Sequence, residues 1–148
     1  MNNSTLNKIL LSNAGVAELI LRVPVGLILA AHGAQKLFGW FGGHGLAGTA
    51  GYMSSIGMEP GYLMAILAGS AEFFGGLALV LGLLTRPAAV VAGFTMLVAI
   101  FSVHIGNGLF ASNNGYEYAL TLLVVLVSLA IQGGGYLSLD NSLAKNKI

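Results

Sequence analysis

From Leu63 to Leu84 the chain is apolar and carries a single formal charge, Glu72, at its centre. A carboxylate in the middle of a membrane-length helix costs about 2.5–3.5 kcal/mol on insertion scales, so it requires a partner, a proton or a function. The rest of the sequence says that the medium is a bilayer. Of the 148 residues, 56% are hydrophobic and 7% are charged, and the mean hydropathy is +0.85. A soluble domain carries roughly 25% charged residues, so this chain has too few to cover a water-facing surface. A net charge of +1 leaves no basic patch for nucleic acid. The absence of cysteine excludes a disulfide framework, a thiolate metal site and dithiol chemistry by this chain alone.

Four segments are apolar enough to cross roughly 30 Å of hydrocarbon: about 16–38, 62–84, 88–105 and 117–132. The last is short before Gly133-Gly134-Gly135 breaks it, so either it borrows Tyr116 and Glu117 at its start or the bilayer thins to meet it. The expected fold is an all-α integral membrane protein: one domain, 1–148, forming an antiparallel bundle of four transmembrane helices. A short interfacial helix, about 46–57, is expected between spans one and two, where Leu46, Thr49, Ala50, Met53 and Ile56 recur near helical spacing. Thr85-Arg86-Pro87 reads as a tight turn, with Thr85 capping the next helix and Pro87 in its first turn.

An even number of spans puts both termini on one side. Lys8, Lys145, Lys147 and Arg86 then share a face and leave only Lys36 near the other, so both termini are expected in the cytoplasm. The apolar run before His32 imitates a cleavable signal peptide, but it is too long and contains Arg22.

Two groups of residues could carry chemistry. On a helix, Glu72 shares a face with Ala65, Ala68, Gly69, Gly75, Gly76 and Leu79, small residues that admit a neighbouring backbone. It therefore points into the bundle, as a structural clamp or as a proton carrier or ligand contact. Counting residues from the cytoplasmic ends puts Arg22 about 10 Å deep and Glu72 about 18 Å deep, which makes an Arg22–Glu72 charge pair the expectation. The competing reading has Arg22 snorkelling to headgroups beside Glu18. The second group lies at the opposite ends of the helices: His32, Gln35, Lys36, Trp40, His44, His104, Asn107, Glu117 and Tyr118. Convergence there would make an outward-facing polar cavity able to hydrogen-bond a quinone-like ring. The ligand candidates are His32, Gln35, Lys36, Trp40, His104 and Glu117. The plain alternative is interfacial residues meeting headgroups and water. No metal site is expected, since no histidine pair has helical ligand spacing and no HExxH occurs.

Taken together, the pattern resembles the DoxX family of small four-helix membrane proteins. The matching positions are Arg22, His32-Gly33-x-x-Lys36-Leu37, Gly48-Thr49-x-x-Tyr52-Met53, Glu72-x-x-Gly75-Gly76-Leu77, Leu81-Gly82-x-x-Thr85-Arg86 and Leu137-Ser138-Leu139-Asp140. The resemblance implies a four-helix bundle in the cytoplasmic (inner) membrane and an association with membrane redox systems. It defines no catalytic residues. Lacking cysteine, this chain would draw any thiol or metal chemistry from a partner or bound cofactor. Three readings follow: a quinone-binding subunit of a membrane redox system, with oxidoreductase partner subunits or further copies of itself; a non-catalytic scaffold for such a complex; and a small proton-coupled transporter using Glu72.

Overall fold

A computed structural model describes residues 8–145; Lys147, counted above among the tail cations, lies outside them. The described residues form helices and turns without a strand. The helices are α1 (Ala17–Phe38), α2 (Gly45–Ser55), α3 (Gly61–Leu81), α4 (Thr85–Ala99), α5 (Glu117–Gln132) and α6 (Leu139–Lys145). α4 continues through a π turn, Ile100–His104, and a 3-10 turn, Ile105–Asn107. Three segments are long and apolar enough to cross a membrane: α1, α3 and the 23-residue stretch Thr85–Asn107. α5 is apolar but has 16 residues, about 24 Å of helix.

α1 packs along α3 and α4 along α5, while contacts of α3 with α4 and of α1 with α5 join the two pairs. The α1–α3 seam is made of glycine. A Cβ on Gly26 would lie 2.6 Å from the carbonyl oxygen of Gly76, and one on Gly76 would lie 2.5 Å from that of Gly26. A Cβ on Gly33 would collide with the backbone of Phe73. Where lipid is as apolar as any side chain, close backbone approach of this kind is what favours helix association. Behind the seam, Leu29, Leu79, Ala89, Ala92, Met96, Leu122, Leu126 and Leu129 form the buried core. Ile20, Phe74, Val90, Phe94, Phe101 and Ile131 are exposed on the outside, as lipid-facing side chains would be.

The second apolar segment stops three residues before the expected 84, because the backbone turns at Gly82. Its φ of 66° makes a left-handed cap in which Leu83 N donates to Ala78 O (2.9 Å) and Gly82 N to Leu79 O (3.1 Å). α4 starts three residues before the expected 88, and Thr85 does not cap it. The cap comes from the far end of the chain: Leu84 N and Thr85 N donate to the Asp140 carboxylate at 2.7 and 2.8 Å. Asp140 thus meets the positive end of α4 and holds Leu84 at a φ of 48°.

Candidate functional site

The predicted Arg22–Glu72 pair does not form. Arg22, 1% exposed, directs its guanidinium to backbone carbonyls: Nε donates to Gly134 O (3.0 Å), Nη1 to Leu79 O (2.9 Å) and Val80 O (2.5 Å), and Nη2 to Leu137 O. Leu79 and Val80 lie in the last turn of α3, the negative end of its dipole. Snorkelling beside Glu18 does not occur either. Glu18 is buried, and its Oε2 has no hydrogen-bond partner among the described residues. The helix register explains the correction. Gly82, which ends α3, sits against the Arg22 guanidinium, and Glu72 is ten residues back along that helix, roughly 15 Å away. α1 begins well outside the level at which α3 ends, so depths counted from a common plane put the two charges too close.

Glu72 pairs instead with Lys36. Nζ donates to Oε2 at 2.5 Å, and this is the salt bridge present among the described residues. The local fold produces it. Glu72 lies between Gly69 and Gly76 on the glycine face that α3 turns to α1. Lys36 is level with Gly69, and helical side chains lean toward the N-terminus, which carries the ammonium back toward Glu72. The Lys36 carbonyl accepts from Thr49 Oγ1 (3.2 Å), tying α2 over the pair. The side chains are 27% and 6% exposed.

The pair stands between two cavities. The larger, about 930 Å³, is bounded by α2, α3, α4 and the end of α1. Met53, Met58, Met64, Leu67, Phe94 and Val98 supply much of its apolar lining, while Gln35, Lys36, His44, Tyr52, Glu72 and His104 supply polar groups. Leu67, Val90, Val91 and Phe94 line it and are also exposed on the apolar outside of the molecule, so the cavity opens sideways. The smaller, about 110 Å³, is lined by Leu29, His32, Met96, Tyr118 and Leu122, and shares Lys36, Glu72, Ala99 and His104 with the larger.

Of the six ligand candidates, Gln35, Lys36 and His104 line the large cavity, and His32 lines the small pocket with Lys36 and His104. Trp40 and Glu117 line neither: Trp40 stacks on Phe38 with centroids 5.1 Å apart, and Glu117 Oε1 accepts from Ala111 N at 2.5 Å, closing its own loop. His104 Nδ1 is 2.8 Å from Asn114 O, which can only accept. That nitrogen therefore carries the hydrogen and leaves Nε2 free. His32 Nδ1 lies 3.2 Å from Gln35 Oε1, while Gln35 Nε2 donates to Phe41 O (3.2 Å), so His32 is held in the same sense. His104 closes a π turn, an irregularity frequent at functional sites. No three His, Asp or Glu residues converge as metal ligands among the described residues. Sequence reasoning missed the methionine lining and the Lys36–Glu72 pairing. The second was signalled by Lys36 and Glu72 lying on the glycine-bearing faces of neighbouring helices.

The pattern that defines the DoxX family matches residues 17–105, a span that contains Arg22, Lys36, Glu72 and His104. Among curated relatives, "Putative oxidoreductase CatD" of Bacillus subtilis is 32% identical over 132 residues, 89% of this chain and 90% of that protein. "Inner membrane protein YqjF" of Escherichia coli is 34% identical over 136 residues, 88% and 94% of the two chains. "Inner membrane protein YphA" of the same organism is 32% identical over 130 residues, 84% and 89%. No solved structure matches the chain.

Proposed function

The chain belongs to the DoxX family of membrane proteins, and we propose that it binds a quinone or similar lipophilic ring as a subunit of an inner-membrane redox system. The observation that carries this reading is the sideways-opening apolar cavity of about 930 Å³ with the Lys36–Glu72 pair in its wall. Its size falls in the range of small-molecule sites, and a mostly apolar lining that includes a few polar groups, the Lys36–Glu72 pair among them, suits recognition of a ring headgroup. An entrance bordered by Leu67, Val90 and Phe94 suits a ligand already dissolved in lipid. Methionine lining adapts readily to a flat ring. One relative's name contains the word oxidoreductase. With no cysteine in the chain, we assign electron transfer to the bound ring and to an oxidoreductase partner subunit.

The membrane arrangement we propose has four spans, with α5 as the short fourth, and α2 lying along the outer interface above the cavity. The bilayer thins beside α5. Lys8 and Arg86 fall at one end and Lys36 at the other, an asymmetry that supports both termini in the cytoplasm. The names of YqjF and YphA support the inner membrane as its location.

The test is equilibrium binding of a short-tailed benzoquinone to protein in lipid nanodiscs, with empty nanodiscs as the baseline. Ala68→Phe and Ala71→Phe place bulk in the cavity wall and are expected to abolish saturable binding while the helical spectrum persists. Binding that both variants retain would remove the cavity as the site. Absence of saturable binding to the unmodified protein would move the chain to the scaffold reading.

A further inference from the structure

As a hydrogen-bonded unit the Lys36–Glu72 pair is unfinished. An ammonium has three donors, and Lys36 Nζ uses one, on Glu72 Oε2. Among the described residues Nζ has no second partner, and Glu72 Oε1 accepts from nothing. Among the described residues the fully buried side-chain atoms without partners are Glu18 Oε2 and Thr85 Oγ1. Glu72 Oε1 is not one of them, so it opens on the cavities that Glu72 lines. Vacant donors and a vacant acceptor thus stand side by side where the apolar cavity meets its polar wall.

That combination selects a chemical group. A ring carbonyl would satisfy Lys36 and leave Oε1 bare. A carboxylate would meet the repulsion of Glu72. A hydroxyl donates and accepts at once, with its O–H on Glu72 Oε1 and its oxygen on Lys36 Nζ. We propose that the cavity takes a lipophilic ring bearing an acidic hydroxyl, of the phenol or hydroquinone class, and holds it as the oxyanion on Lys36 with its proton on Glu72. The inference rests on reading the cavity as a ring site and names what is recognised there.

The exchange balances. The ring O–H bond breaks, an O–H bond forms on the Glu72 carboxylate, and no electron moves. Ring hydroxyl, carboxylate and ammonium sum to zero charge before the transfer and after it. One buried ion pair replaces another, so no uncompensated charge is left in a medium that penalises it. The other titratable groups facing this point are His32 from α1, His104 from the π turn, Tyr118 from α5, and His44 and Tyr52 from the α2 side. The free ring nitrogens on His32 and His104 donate nothing to Oε1, but as acceptors they are the alternative destinations for the ring proton, which the Glu72→Gln proton count below distinguishes.

The probe is a nitrophenol with an alkyl tail, whose oxyanion absorbs in the visible, added to protein in zwitterionic nanodiscs at a pH where the free probe is neutral. The bound probe is expected to show the oxyanion band while a pH indicator records no net proton release. In Glu72→Gln the band should persist with one proton released per probe bound, because the carboxylate that takes the proton is gone; a proton retained there would assign it to His32 or His104 instead. In Lys36→Met the band should vanish and affinity fall by roughly 10- to 100-fold, the weight of a charge-assisted hydrogen bond. If Lys36→Met does not fold, the wild-type and Glu72→Gln proton counts decide alone. A neutral bound probe in the wild type, or proton release equal in wild type and Glu72→Gln, overturns the transfer and leaves the ring site standing. No saturable binding of either this probe or the benzoquinone removes the ring site itself.

Discussion

Replacing Lys36 by methionine keeps an apolar stem and strands the Glu72 carboxylate, whose side chain is 6% exposed. Deleting one member of a buried pair costs about 3–5 kcal/mol in general. Here a ceiling can be worked out, because the stranded carboxylate can take a proton instead. Protonating an ordinary glutamate at pH 7, from a solution value near 4.3, costs about 3.7 kcal/mol at 1.36 kcal/mol per unit. The penalty for Lys36→Met should therefore approach 3–4 kcal/mol at pH 7 and fall to about 1 kcal/mol at pH 5. The sign follows from linkage: the folded variant holds a proton that the unfolded chain releases, so its stability drops as pH rises across this window. Glu72→Gln is milder, about 1 kcal/mol, because the 27% exposed ammonium keeps access to the cavity. The double variant strands no charge and should recover most of the Lys36→Met loss at pH 7. Reversible unfolding by sodium dodecyl sulfate in mixed micelles, followed by helical circular dichroism at both pH values, measures all four proteins. A Lys36→Met penalty that is absent at pH 7, or the same at both pH values, would refute the reasoning.

Gly33→Ala pushes a methyl into the backbone of Phe73 and should cost about 1–3 kcal/mol in the same unfolding assay. Gly51→Ala, in α2 with open space around it, should be neutral or stabilising by up to about 1 kcal/mol. Asp140→Ala removes the acceptor for Leu84 N and Thr85 N and should cost about 1–3 kcal/mol, with faster hydrogen exchange confined to the start of α4. Because the chain has no cysteine, single introduced ones report topology cleanly. In intact cells with a permeable outer membrane, Asn113→Cys should react with an impermeant maleimide, and Ser142→Cys only after the inner membrane is opened.

Most helix boundaries were legible because apolar runs and glycine punctuation are local signals. The first apolar segment was expected over 16–38 and is helical over Ala17–Phe38; the fourth, over 117–132, matches Glu117–Gln132. The inward aim of Glu72 was legible as well, from the glycines around it. What could not be read was axial register. The level of Arg22 is set by where Gly82 ends α3, and no property of either apolar run states how far one helix is shifted along the other. Asp140 was hidden for a related reason: a cap 55 residues away from Thr85 leaves no spacing signature. The methionine lining was invisible because Met53, Met58 and Met64 sit on different faces of α2, its exit and α3, and converge only after packing.

Two charged clusters differ in what surrounds them: the one around Arg22 is enclosed by backbone, with Glu18 Oε2 buried and unpartnered beside it among the described residues, while the Lys36–Glu72 pair borders a cavity. Around Arg22, every guanidinium nitrogen has a carbonyl, supplied by the end of α3 and by the segment after α5. Each Asp140 oxygen likewise accepts one backbone N–H, from Leu84 and Thr85, and Asn141 bridges Ser12 and Gly135. Four of the five guanidinium N–H groups are thereby used, so the buried cation has little left to offer a ligand, and its desolvation is offset by charge-assisted hydrogen bonds. At the other end, the glycine seam fixes the Lys36 and Glu72 backbones as firmly, yet their heads keep vacant donors and a vacant acceptor beside a cavity. Burying such groups unfinished costs stability, and packing gains nothing from leaving them so when a serine or backbone group could close the set. Rigid support beneath and access to a cavity above together favour recognition over packing for this pair. They favour Lys36 as the partner of Glu72 in the proposed site, about 21 Å along α1 from Arg22, which the sequence had put in the place of Lys36.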